Sequence, residues 1–270
     1  MPRRPPPDAA VSGGERRACA PHRFRGLPAR VRAAALAAAV AAGCRDPEAG
    51  PGKLSGARSL PVYRVAIATG PIEVDGRLDE PAWREALQMP LVDSLTGQRP
   101  REPTVARVLR DERHLYVAFD CRDDAVFVRP GRRHDDPLWE DEVVEVFLDP
   151  SGAGRDYVEV EVSPAGVTFD ARFRSWRSDL LQARAWESGA AAAAWIDRGP
   201  AGDRGWTAEL RIPLDAARGA APPPRPGSRW RANLYRLETR GRGGPAGQAF
   251  SPPYRGDFHA LDRFGWLVFD

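Results

Sequence analysis

Cysteine, histidine and methionine are scarce in this chain of 270 residues: three, four and two. The histidines, at 22, 114, 134 and 259, lack the close spacing of a zinc motif. Cys121 ends Leu115-Tyr116-Val117-Ala118-Phe119-Asp120-Cys121, in phase with Leu115, Val117 and Phe119. It reads as a small buried apolar residue with no disulfide partner. There is no nucleophile elbow, phosphate loop or internal repeat. The apolar run Ala33–Ala42 is too short to span a membrane.

A balanced excess of positive charge is missing too. The net charge is +3 and the pI about 9.0, which invites a nucleic-acid partner. Residues 1–43, however, hold eight arginines against Asp8 and Glu15, leaving 32 basic and 35 acidic residues in the rest. The folded part is mildly acidic, so no nucleic-acid partner is expected. Arg23, Arg25, Arg30 and Arg32 precede Ala33–Ala42, as in a bacterial export signal. Ala41-Ala42-Gly43-Cys44 resembles a lipoprotein cleavage box with Cys44 as the lipidated residue. The expected organisation is an export leader over 1–43, a flexible tether over 44–61 and one folded domain over 62–270. The expected location is the cell envelope, as a lipoprotein held to the membrane through Cys44, or else the periplasm or exterior.

What the chain does have is many short runs of period two. Tyr63–Ala68 opens them. Asp79 is placed to cap one short helix, with Pro81 in its first turn and Trp83 and Leu87 sharing a face. Thr104–Leu109 and His114–Cys121 form a hairpin. Tyr157–Val162 turns through Ser163-Pro164-Ala165-Gly166 into Val167–Arg172, with Val158, Val160 and Val162 inward and Tyr157, Glu159 and Glu161 outward. Ala190–Ile196, Trp206–Pro213, Trp230–Glu238 and Gly265–Asp270 complete the set. Many hairpin-spaced strands and almost no helix predict an all-β antiparallel sandwich with one short helix.

The stretch Leu138–Pro150 carries the chemistry. Val144, Val146 and Leu148 share one side with Glu142, while Val143, Glu145 and Phe147 share the other. A tryptophan ring offers a flat apolar face to a pyranose, and a carboxylate accepts hydrogen bonds from its hydroxyls. Trp139 and Glu145 are therefore a candidate sugar-binding pair, against the alternative of a tryptophan that merely caps the core.

Several blocks together resemble family 9 carbohydrate-binding modules. They are Ile72-Glu73-Val74-Asp75-Gly76-Arg77-Leu78-Asp79-Glu80-Pro81-Ala82-Trp83, His114–Ala118, Trp139–Pro150, Trp206–Pro213, Trp230–Arg236 and Phe258–Gly265. The closing Phe258-His259 resembles the stand-alone secreted branch of that family. The resemblance implies a β-sandwich that binds an oligosaccharide or polysaccharide without cleaving it and supports recognition or catabolism of xylan- or cellulose-type glycans, with glycoside hydrolases as partners. It implies Trp139, Glu145, Phe258, Asn233 and His259 as site residues, with Glu161 near the place of a binding arginine.

Three further expectations follow. Glu145, Glu159 and Glu161 point to one face of neighbouring strands, so a catalytic domain using paired carboxylates is the alternative function. No cofactor is required, but the acidic residues near Trp139, namely Asp123, Asp124, Asp136 and Asp141, are candidate ligands of a structural calcium ion. A haem-binding sandwich is the remaining class, poorly supplied by Met1, Met89, His114 and His134.

Overall fold

A computed structural model of the chain describes residues 59–239 and 245–270. The expected leader, the expected lipidation residue Cys44 and nearly all of the expected tether lie outside the described residues. The folded part begins with β1 (Val62–Ile67), then α1 (Pro81–Glu85), β2 (Met89–Pro90), β3 (Val92–Asp93), β4 (Thr104–Arg110) and β5 (His114–Arg122). A single turn of 3₁₀ helix at Leu138–Glu140 leads into β6 (Val143–Asp149), β7 (Tyr157–Val162) and β8 (Thr168–Phe173). After α2 (Leu180–Ala183) come β9 (Ala191–Gly199), β10 (Gly202–Pro213), α3 (Leu214–Arg218) and β11 (Arg229–Glu238). The chain closes with β12 (Ala246–Ala249) and β13 (Gly265–Phe269). Three short helices are described where one was expected.

The strands run in the order β8-β7-β6-β11-β13-β1-β4-β5-β10-β9. The expected antiparallel pairing holds except at β1, which runs parallel to both neighbours. Val62–Val65 pair with β13, and Ala66 and Ile67 pair with β4, so β1 passes from one half of the sheet to the other. Parallel strands need a long crossover, and the segment from Ala68 to Pro103 supplies one between β1 and β4.

Period-two alternation builds the main core between the two halves. Val117 and Phe119 of β5 and Trp206 of β10 meet Val146 of β6, Val160 of β7 and Leu234 of β11. The opposite face of β6 and β7 differs from the expectation. Tyr157, Glu159 and Glu161 were to point to solvent, yet every residue of both strands is buried. A second apolar layer covers that face, made of Leu138, Phe147, Tyr157, Phe169, Tyr235 and Phe264 among others.

A third small cluster holds α1. Trp83 is buried and donates its indole N–H to Glu209 Oε1 at 2.7 Å. Glu209 also receives the backbone N–H of Gly76 at 2.9 Å. Gly76 has φ of 88°, and a Cβ there would lie 2.6 Å from the backbone of Ala194, so only glycine fits. The helix start is corrected by one residue: Glu80 occupies the N-cap, without a side-chain cap bond. Leu87 is exposed, because α1 ends at Glu85 and Ala86 is already extended.

The two halves are also joined by charge. Arg236 on β11 is fully buried and donates to Asp123 at 2.7 Å, Glu142 at 3.1 Å and Glu238 at 3.0 Å. Arg236→Ala should lower the unfolding free energy by about 3–5 kcal/mol, since it leaves buried carboxylates without their cation. Chemical denaturation of wild type and variant measures this; a loss under ~1 kcal/mol would show that the network is not stabilising.

Candidate functional site

The second face of β6, β7, β8 and β11 gathers most of the predicted site residues. Register puts Glu145 directly across from Glu161 on β7 and from Tyr235 on β11, with Glu159 across from Phe147. Oxygens of Glu145, Glu159 and Glu161 come within 4.8 Å of one another. The three are at most 6% exposed. Among the described residues no arginine pairs with any of them, and both oxygens of Glu161 lack a hydrogen-bond partner.

Burial raises the carboxyls of Glu145 and Glu161 well above the ordinary range, and the neighbouring carboxylates add to it. Burial also lifts Glu159 to about 7. His259 lies at the rim, its Nε2 4.0 Å from Glu159 and its Nδ1 2.7 Å from the Tyr157 hydroxyl. Burial, with Arg177 nearby, lowers His259 to about 4, so the ring is neutral at pH 7.

Aromatic rings surround this acidic centre. Trp139 is half-buried and meets Phe169 edge-on at 5.2 Å. Phe258 is also half-buried and stacks on Tyr235 at 4.1 Å, 6° from parallel. Phe147 packs edge-on against both Tyr235 and His259. Asn233 is wholly buried and engaged internally. Its amide donates to Tyr235 Oη and the Ser251 carbonyl, and its Oδ1 accepts from the N–H groups of Leu234 and Ser251. Tyr235 in turn donates to the Phe258 carbonyl at 2.9 Å. Asn233 thus positions the Tyr235–Phe258 stack.

Tyr235, Phe147 and Tyr157 were not singled out from sequence. The spacing of Asn233 and Tyr235, two apart on one strand, is the signal that places them on a common face.

The expected calcium ligands have other partners. Asp123 pairs with Arg236, and Asp141 pairs with Arg129 and Arg132. Asp136 accepts the N–H of Arg133, and Asp124 is exposed. A calcium ion there would have to displace the arginines to gather its six to eight oxygens. Met89 is buried in the main core, and His114 sits beside Asp111.

The acidic centre makes stability depend on pH. Unfolded glutamate ionises near pH ~4.3. Glu145, Glu159 and Glu161 keep their protons to higher pH in the fold. Their contribution is therefore complete below the unfolded value and is lost as pH rises toward 7 and beyond. Glu161→Gln removes one of these ionisations. It should raise stability at about pH 8 by roughly 1–3 kcal/mol relative to wild type and flatten the decline from about pH 5. Thermal melts across that range check it; parallel curves for the two proteins would refute it.

The model of the carbohydrate family 9 binding domain-like family matches residues 74–229, more than half of the chain. Solved structures share its fold. A candidate carbohydrate-binding protein of Bacteroides uniformis is 19% identical with a TM-score of 0.62, over 78% of this chain and 100% of that one. A family 9 carbohydrate-binding module of Caldicellulosiruptor kristjanssonii in complex with cellotriose is 15% identical with a TM-score of 0.54, over 78% and 94%. One from the same organism in complex with glucose is 14% identical with a TM-score of 0.52, over 77% and 96%. No curated protein matches the chain in sequence. With its β-sheet architecture and the family match over 74–229, the chain belongs to the carbohydrate family 9 binding domain-like family.

Proposed function

We propose that this protein binds carbohydrate on the face bearing Trp139 and Glu145 and does not cleave it. The carrying observation is the acidic centre of Glu145, Glu159 and Glu161 set among aromatic rings on one face. Trp139 and Phe258 are half-buried and keep ring surface for a pyranose to stack on. Glu145 and Glu159 retain slight exposure, so their carboxyls form the floor that receives sugar hydroxyls. The family 9 modules in complex with cellotriose and glucose support a glucan, and xylan- or cellulose-type chains are the ligand class we assign. Modules of this family bind without catalysis. The three glutamates are too enclosed to flank a glycosidic bond with a water between them, which disfavours the hydrolase alternative.

Isothermal titration with cello- and xylo-oligosaccharides tests this reading. The expected Kd is about micromolar to millimolar, and Trp139→Ala should weaken it roughly tenfold or more, a loss of about 1.4 kcal/mol. No heat with any such sugar, or unchanged affinity in the variant, would overturn it. Release of reducing ends by the pure protein would turn it into a hydrolase.

The cellular setting belongs to the same proposal. An exported protein anchored at Cys44 would hold glycan at the cell envelope for partner hydrolases. A lipid chain supplies about 0.8 kcal/mol per buried methylene, enough to retain a sandwich domain at a membrane when two or more chains are attached. Cys44→Ser should move the protein from the membrane fraction to the soluble one. An unchanged distribution, with the leader intact by mass spectrometry, would reject the anchor.

A further inference from the structure

A second cluster of titratable side chains lies at the sheet edge, on a face the sugar-binding reading does not use. Asp170 of β8 stands across from Val160, so it points to the opposite side of the strand from Phe169 and Ala171. His134 comes from the loop before β6 and Glu187 from the segment after α2. Ligand atoms of His134, Asp170 and Glu187 lie within 4.8 Å of one another. His134 and Glu187 border a cleft of about 440 Å³ that Asp135, Asp136, Leu181 and Arg184 also line, and Asp170 is buried beside them.

The hydrogen bonds around this cluster aim its free atoms at one another. His134 Nδ1 is 3.0 Å from the Thr168 carbonyl, which can only accept, and 2.9 Å from the Thr168 hydroxyl, which can accept as well; a hydrogen on Nδ1 satisfies the carbonyl. In the neutral ring Nε2 is then a bare lone pair. It faces Glu187 Oε2 at 3.3 Å and Asp135 Oδ1 at 3.5 Å, two further acceptors. Asp170 is held similarly. Its Oδ2 accepts from the N–H and hydroxyl of Ser188 at 3.1 and 2.6 Å, while Oδ1 is buried with no hydrogen-bond partner. Asp135 Oδ1 is likewise buried without one.

We propose that His134, Asp170 and Glu187, with Asp135 beside them, bind a divalent transition-metal ion of the zinc type. A proton on Nε2 would pair with Glu187 and Asp135 but leave Asp170 Oδ1 unanswered. One metal ion answers all of these lone pairs together. Zinc bonds of about 2.0–2.2 Å to N and O place tetrahedral ligand atoms roughly 3.3–3.6 Å apart. The two separations from Nε2 already match that edge. Thr168 and Ser188 act as the outer partners that fix the imidazole tautomer and the carboxylate orientation at metal sites. Imidazole among the donors favours zinc, copper or nickel over calcium or magnesium. The cleft leaves room for water or a ligand atom at an open coordination position.

The site is separate from the Trp139–Glu145 face, so its test does not depend on sugar binding. The full-length protein is stripped with chelator and titrated with zinc chloride by calorimetry, and cobalt(II) absorption is recorded in parallel. The expected result is one saturable equivalent that raises the melting temperature, with cobalt d–d bands. His134→Gln and Glu187→Gln should each weaken binding at least tenfold and abolish the bands. The Glu187 side chain is 70% exposed, so Glu187→Gln should leave the metal-free melting temperature unchanged. Absence of saturable binding would overturn the proposal. So would affinity unchanged from wild type in the two variants, which would place the ion elsewhere, or a preference for calcium over zinc.

Discussion

The structure depends on one buried guanidinium. Stripping an arginine of water costs several kcal/mol, and only close, well-aligned acceptors offset that cost. Arg236 finds them in three segments: Asp123 after β5, Glu142 before β6 and Glu238 at the end of β11. Glu142 also accepts the indole N–H of Trp206 on β10 at 2.7 Å. One cation therefore ties strands from both halves of the fold at one end of the main core. Three full negative charges around it would overshoot. Burial and neighbouring acids push Glu142 up to about 9, while Asp123 is lowered by hydrogen bonds and by Arg236, so the proton stays on Glu142.

The same stretch of chain handles acid in the opposite way three residues later. Glu142 faces the main core and has its cation built in. Glu145 faces the second layer and, among the described residues, comes within ion-binding range of Glu159 and Glu161. Buried carboxyls without a counter-charge are costly, and such departures from local optimum concentrate where a protein meets a ligand. The aromatic layer around them supplies the apolar half of the proposed sugar-binding surface. Asn233, which the family resemblance implies as a site residue, is buried and secures the Tyr235–Phe258 stack that bounds that surface.

Much of this was legible in the residues themselves. The hairpin of β4 and β5, the inward valines of β6 and β7, and the run of β10 follow from alternation, a property of neighbours along the chain. The common phase of Glu145, Glu159 and Glu161 was equally readable, and strand register brought them together. Asp75-Gly76 has the composition of a turn, but the need for glycine there comes from its contact with Ala194, which only the fold brings near.

The sequence by itself determined the β class, the family, and which residues share each face of a strand. Tertiary structure alone decided which faces are covered and which charges meet. Tyr157 is buried in an apolar layer that Phe258 and Phe264 join from the far end of the chain, on the face of β7 that also carries the buried Glu159 and Glu161. His134, Asp170 and Glu187 show no motif spacing, since their convergence is set by the loop before β6, the edge strand β8 and the segment after α2. Alternation is a local consequence of backbone geometry, whereas burial and electrostatic pairing depend on contacts between segments far apart in the chain.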